Sequence, residues 1–119
     1  MPCPFASTPA PPYYAVIFAA QRRAGADAGY AQTAARMAQL ATAQPGYLGV
    51  VSSRDADGFG ITVSYWRDAE SIRAWREQIE HARARARGRE CWYTHYQLRV
   101  ARVERAYDWA AAAPPEDLP

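Results

Sequence analysis

The hydrophobic positions along the chain follow two periods, one typical of strands and one typical of helices. An apolar run at residues 13–20, rich in aromatic and β-branched side chains, predicts a first strand covered on both faces. Apolar residues then recur at helical spacing over about residues 28–43, with Asp27 as a possible N-cap. Pro45 and Gly46 predict the end of this helix.

The middle of the chain predicts a hairpin followed by a second helix. Residues 47–54 and 59–66 alternate like strands and are joined by the turn sequence Asp-Ala-Asp-Gly. Asp68 is a good N-cap for a helix that continues with an apolar stripe until Gly88 ends it.

The last predicted element is a long strand over about residues 92–107. A polar row of alternate residues lies along one of its faces, namely Tyr93, His95, Gln97 and Arg99. A row of this kind fits a dimer interface or a polar pocket wall, and Tyr96, Leu98 and Trp92 on the opposite face are expected in the core. The apolar phase slips after Val100, which predicts a bulge near Ala101.

The predicted order β-α-β-β-α-β is that of a ferredoxin-like α+β fold. In this fold a four-stranded antiparallel sheet carries both helices on one face. The other face would be bare in a monomer, so we expect a partner sheet there, which means a homodimer. The predicted domain covers residues 13–107. Residues 1–12 and 108–119 are predicted to be tails, disordered or loosely docked, because they are rich in Pro and Ala.

Composition argues against several classes of protein. The formal charge is +2, and all 14 basic residues are Arg, so no concentrated nucleic-acid footprint is indicated. Two cysteines form neither a metal-site spacing nor a disulfide framework. No apolar run is long enough for a membrane span, and the N-terminus lacks the features of a signal peptide, so the cytoplasm is the expected location.

Several segments resemble the antibiotic biosynthesis monooxygenase (ABM) family. The similar segments are Gln-Pro-Gly-Tyr-Leu-Gly at residues 44–49, Gly-Ile-Thr-Val-Ser-Tyr-Trp at 60–66, Glu-His at 80–81, Gly-Arg-Glu-Cys-Trp-Tyr at 88–93 and Arg-Val-Ala-Arg-Val-Glu-Arg at 99–105. The resemblance implies a dimeric α/β barrel, with a pocket in each subunit between the sheet and the helices. It also implies alternative activities. Some members oxidise aromatic polyketides with O2 and need no metal or flavin, whereas others bind haem and open its ring.

Two residues are the candidate catalytic groups. Trp66 ends the second arm of the hairpin, where an indole either closes the core or lines a pocket for a flat substrate. His81 lies on the second predicted helix, opposite the apolar stripe if the helix is regular. A break in the helix is needed to turn His81 inward, where it could accept a proton or bind haem iron. Otherwise His81 is an exposed side chain.

Gln21, Trp75 and Tyr65 are the candidate substrate-binding residues. Gln21 stands at the end of the first strand, where haem-degrading relatives carry an Asn, and this departure argues against a direct copy of haem chemistry. The resemblance to the ABM family therefore implies an oxygenase acting on a small aromatic or quinol-like molecule without metal or flavin. The alternatives are a haem-binding or haem-degrading protein and a non-enzymatic dimer that binds a small ligand.

Overall fold

A computed structural model describes residues 4–25 and 29–111 of the chain. The elements are β1 (Tyr13–Arg22), α1 (Tyr30–Thr42), β2 (Tyr47–Arg54), β3 (Phe59–Trp66), α2 (Ala69–Glu77), α3 (Ile79–Arg87), a π-helical turn (Gly88–Trp92) and β4 (Tyr93–Val103). The four strands form one antiparallel sheet in the order β2-β3-β1-β4. This confirms the ferredoxin-like α+β fold expected from the sequence. Asp27 and the predicted first residue of α1 lie outside the described residues.

The two faces of the sheet differ in what covers them. Residues paired across neighbouring strands point to the same face, so Trp66, its partner Tyr14 and its partner Tyr47 share a face. Trp66 contacts α2 on this side, which defines it as the helix-bearing face. The opposite face carries Phe59 and Ile61, whose exposures of 44% and 43% are high for large apolar side chains. We call this second surface the helix-free face.

The prediction of one continuous second helix was wrong, because the helix breaks at Gln78. The backbone of Gln78 has φ −58° and ψ 131°, which is not helical, and it separates α2 from α3. The Gln78 side chain accepts a hydrogen bond from the backbone N–H of His81 at 2.8 Å, so it caps the new helix. Gly88 does not end the helical segment either, since the π-helical turn continues to Trp92.

Strand β4 also differs from expectation. It begins at Tyr93 and ends at Val103, and its pairing with β1 runs through Ala101 without a shift. The irregularity lies instead between Gln21 and Arg22, opposite the start of β4. This shift turns Tyr93 to the helix-bearing face, where its ring contacts Phe18, and removes it from the predicted polar row. His95, Gln97 and Arg99 keep the row on the helix-free face. The expectation that Leu98 lies in the core was wrong, since this side chain is 50% exposed.

The segment before β1 lies against the helix-free face. Thr8 Oγ1 donates to the Tyr13 hydroxyl at 3.1 Å, and a Cβ added at Gly49 would lie 3.0 Å from the Cβ of Ala6. Tyr13 is only 4% exposed and its ring meets that of Tyr65 edge-on. The segment therefore contacts one corner of the sheet. Residues 1–3 and 112–119 of the expected tails lie outside the described residues.

Candidate functional site

Trp66 is the most enclosed large side chain of the described protein. Its exposure is 0%, and its Nε1 donates to Ser64 Oγ at 2.9 Å. The Tyr47 ring packs edge-on against it with centroids 5.5 Å apart. An indole with its N–H bonded and no exposed surface cannot touch a ligand in this conformation. The role of Trp66 is therefore to support the ring that covers it, which is that of Trp75.

That covering ring belongs to Trp75 on α2, and the stack continues to His81. Trp66 and Trp75 have centroids 6.2 Å apart and planes inclined by 27°. The imidazole of His81 lies 4.1 Å from the ring of Trp75, inclined by 13°. The structure thus brings three of the candidate residues into one aromatic stack, which runs from the core to the partly buried His81. A regular helix would have pointed His81 away, so the stack depends on the break at Gln78.

Hydrogen bonding fixes the tautomer of His81. Its Nδ1 lies 2.8 Å from the carbonyl oxygen of Trp75. A carbonyl oxygen can only accept, so Nδ1 carries the proton and Nε2 of the neutral ring carries a lone pair. Nε2 has no hydrogen-bond partner among residues 4–25 and 29–111.

The surroundings of His81 also keep the ring neutral. Burial lowers the pKa of His81 below its ordinary 6.5, and the nearby charges of Arg85 and Arg76 lower it further. The hydrogen bond to Trp75 opposes these effects without reversing them. At neutral pH the site therefore presents an uncharged base beside a flat aromatic surface.

Gln21 and Tyr65 lie elsewhere. Both point to the helix-free face, since Gln21 pairs with Phe59 and Tyr65 pairs with Ala15. Gln21 Nε2 donates to the carbonyl oxygen of Asp57 at 2.8 Å, which ties the end of β1 to the hairpin turn. The structure does not bring these two residues together with the stack.

A second polar cluster on the helix-bearing face was not anticipated. Arg54 donates to the Tyr30 hydroxyl at 2.9 Å, and the Tyr93 hydroxyl donates to the same oxygen at 3.3 Å. The guanidinium of Arg22 lies 4.1 Å from the centroid of the Tyr30 ring. Burial raises the pKa of Tyr93, and the bond to Tyr30 raises it further. The cluster joins α1 to the sheet. The sequence did not predict it, because strict alternation along β4 places Tyr93 on the other face.

Comparison with known protein families shows which family the chain belongs to. A profile of the family described as "Antibiotic biosynthesis monooxygenase" matches residues 13–87, more than half of the sequence. The chain belongs to the ABM family. It is also 54% identical over 98 residues to the uncharacterized protein YqjZ of Bacillus subtilis, with 82% of this chain and 85% of that protein covered. The family match includes Tyr47 and the whole stack of Trp66, Trp75 and His81.

Solved structures of other proteins share the fold. A putative antibiotic biosynthesis monooxygenase from Deinococcus radiodurans superposes with a TM-score of 0.72 at 14% identity, covering 82% of this chain and 99% of that one. SnoaB, a cofactor-independent oxygenase from Streptomyces nogalater, superposes with a TM-score of 0.64 at 15% identity, covering 88% and 99%. At this identity the likeness concerns the fold.

No described helix of the present chain is long and apolar enough to cross a membrane.

Proposed function

We propose that this ABM protein is an oxygenase that acts on a small phenolic or quinol-like aromatic molecule without metal or flavin. The observation that supports it most directly is the neutral imidazole of His81, which combines a protonated Nδ1, an Nε2 lone pair and stacking on Trp75. SnoaB supports the reaction class, since it shares the fold and is a cofactor-independent oxygenase.

The proposed chemistry gives each residue of the stack a separate task. His81 is the outermost ring of the stack and meets the substrate, Trp75 supports the imidazole from behind, and Trp66 positions Trp75. His81 Nε2 accepts the phenolic proton, which leaves a phenolate that can donate electrons to O2. In the overall reaction one O2 converts the phenol to a quinone and water. The substrate supplies all the electrons, so no external reductant is required.

Oxygen uptake tests this function. The purified protein is incubated with 1-naphthol or a tricyclic anthrone, and O2 consumption and quinone absorbance are followed together. We expect uptake above the buffer rate, with one O2 consumed per quinone formed from the anthrone. Because a positioned general base contributes roughly 10²–10⁴-fold, His81→Gln should lose at least about 100-fold of the enzymatic rate.

His95→Gln is the matched control, because His95 is exposed on the helix-free face and should be dispensable for the reaction. Equal loss in both variants, or loss of activity on treatment with a chelator, would contradict the proposal. Aromatic binding without any oxygen uptake would instead identify a non-enzymatic ligand-binding protein.

Haem binding is the second candidate, because an imidazole whose Nδ1 is held by a carbonyl is a suitable axial ligand through Nε2. Gln21 does not support haem degradation, since it points to the other face of the sheet and bonds to the hairpin turn. Titration with haemin distinguishes the candidates. A Soret shift that His81→Ala abolishes would favour haem over the cofactor-free reaction.

A further inference from the structure

Two side chains of α3 bond to the end of α2. His81 Nδ1 donates to the carbonyl oxygen of Trp75 at 2.8 Å, and Nη2 of Arg85 donates to the carbonyl oxygen of Arg76 at 3.1 Å. The two donors are four residues apart, so they lie on the same side of α3. Their acceptors are successive carbonyls in the last turn of α2, where a helix leaves acceptors for groups outside it. The two bonds therefore join α3 to α2 across the break at Gln78.

The second of these bonds fixes the orientation of the first. With the bond of His81 alone, α3 could pivot about a single point of contact. Arg85 lies about one turn further along the helix, roughly 6 Å away, so its bond stops this rotation. The imidazole of His81 is carried by α3 and held at Nδ1, and the direction of Nε2 follows from the orientation of the helix. Arg85 therefore acts on the direction of that lone pair.

Arg85 stands in an unfavourable place for a charged side chain. Burial lowers its pKa, and the charges of Arg76 and Arg89 lower it further. Its Nε is buried and has no acceptor in the described part of the chain. A buried donor without an acceptor destabilises the fold. An uncharged side chain of similar length would avoid both effects, so stability alone does not explain an arginine at this position.

We infer that Arg85 is a positioning residue for His81, which fixes the packing of α3 on α2 and so directs Nε2 toward the substrate. The inference rests on the proposed function only in taking His81 as the base that faces the substrate. Orientation of this kind matters because a misplacement of about 1 Å can lower a rate by roughly 100-fold.

The charge of Arg85 also acts on the imidazole. Burial lowers the pKa of His81 most, and the charges of Arg85 on α3 and Arg76 on α2 lower it further. Glu80 precedes His81 on α3, but its carboxylate bonds to Arg36 of α1 at 3.1 Å, which neutralises it. Loss of Arg85 should therefore raise the pKa of His81 toward its ordinary 6.5.

Arg85→Met in the full chain tests the inference, because it removes the bond and the charge but keeps a long side chain. Imidazole ¹⁵N NMR should show the proton of His81 shared between Nδ1 and Nε2, whereas in the wild type it stays on Nδ1. Anthrone oxidation is measured at about pH 8, where the ring is neutral in both proteins. We expect kcat to fall by roughly 100-fold with KM nearly unchanged and no fall in melting temperature.

Two further variants serve as controls. Arg85→Lys keeps a donor and the charge, so it should restore part of kcat and the Nδ1–H tautomer. Arg83→Met makes the same change at an exposed position of α3 and should alter neither.

A wild-type tautomer in Arg85→Met would overturn the inference, as would an equal effect of Arg83→Met. A lower melting temperature in Arg85→Met, with activity that Arg85→Lys does not restore, would show that Arg85 serves stability alone and would also overturn it. If the tautomer changes as expected in a protein that oxidises no phenol, the oxygenase proposal fails and the role of Arg85 in positioning His81 stands.

Discussion

The imidazole of His81 lies almost parallel to the indole of Trp75, 4.1 Å away, and also bonds to the carbonyl oxygen of the same residue. The two contacts come from different helices, since α2 carries Trp75 and α3 carries His81. The pair therefore holds the two helices together across the break at Gln78. It also means that the basicity of His81 depends on how these helices pack.

The lowered pKa of His81 predicts a pH-dependent stability. The unfolded chain binds a proton at His81 near pH 6.5, whereas the folded chain binds it only at lower pH. The contribution of His81 to the free energy of unfolding is therefore fully present above pH 6.5 and is lost as the pH falls through the folded pKa. Urea unfolding at about pH 7.5 and about pH 5 should show this loss, and His81→Gln should reduce the difference. NMR titration of His81 should give a pKa below 6.5. A value at or above 6.5 would contradict the burial of the ring.

Replacement of Trp66 should affect stability and binding together. Trp66→Phe leaves a cavity in a fully buried position and removes the hydrogen bond to Ser64, so we expect a loss of about 1–3 kcal/mol in the free energy of unfolding. Because Trp66 supports Trp75, aromatic ligands should also bind more weakly.

Trp109→Phe serves as the comparison, since Trp109 is 82% exposed and its replacement should change neither quantity. Chemical denaturation gives the stability and calorimetry gives the affinity. Normal ligand affinity in a destabilised Trp66→Phe protein would show that Trp66 belongs to the core alone.

The sequence predicted the hairpin to the residue but missed the break that forms the site. The bounds Tyr47–Arg54 and Phe59–Trp66 agree with the structure because strict alternation and a glycine-containing turn fix them locally. Gln78 gives no such signal, since glutamine favours helix and no proline or glycine is adjacent. Its break depends on tertiary packing. The same holds for Tyr93, whose face depends on pairing with β1 rather than on the pattern of β4.

The helix-free face should be the interface of a homodimer. Ile61→Glu places a charge in its exposed apolar patch and should shift the protein toward monomer in sedimentation equilibrium. Leu98→Glu is the matched change on the helix-bearing face, where Leu98 pairs with Phe18 and is 50% exposed, and it should leave the association unchanged. A wild type that sediments as a monomer at micromolar concentration would refute the dimer.

The two chain ends should differ in what their removal costs. Deletion of residues 1–12 uncovers Tyr13 and removes the contact at Gly49, so the melting temperature should fall by several degrees. Deletion of residues 110–119 should change it by much less, because the preceding residues Tyr107 and Trp109 are 92% and 82% exposed and make little contact with the domain. Equal melting temperatures for the two truncated proteins would show that the N-terminal contacts contribute nothing to stability.

The four tryptophans occupy distinct environments, and this gives the molecule an optical reporter of its own site. Trp109 is surrounded by solvent, whereas Trp66 and Trp92 are enclosed and Trp75 is partly covered. A water-soluble quencher therefore extinguishes the red-shifted emission of Trp109 first. The fluorescence that remains comes from indoles inside the domain, and Trp75 is the one among them whose ring lies against an imidazole. Changes in this residual emission therefore report on the packing of Trp75 against His81.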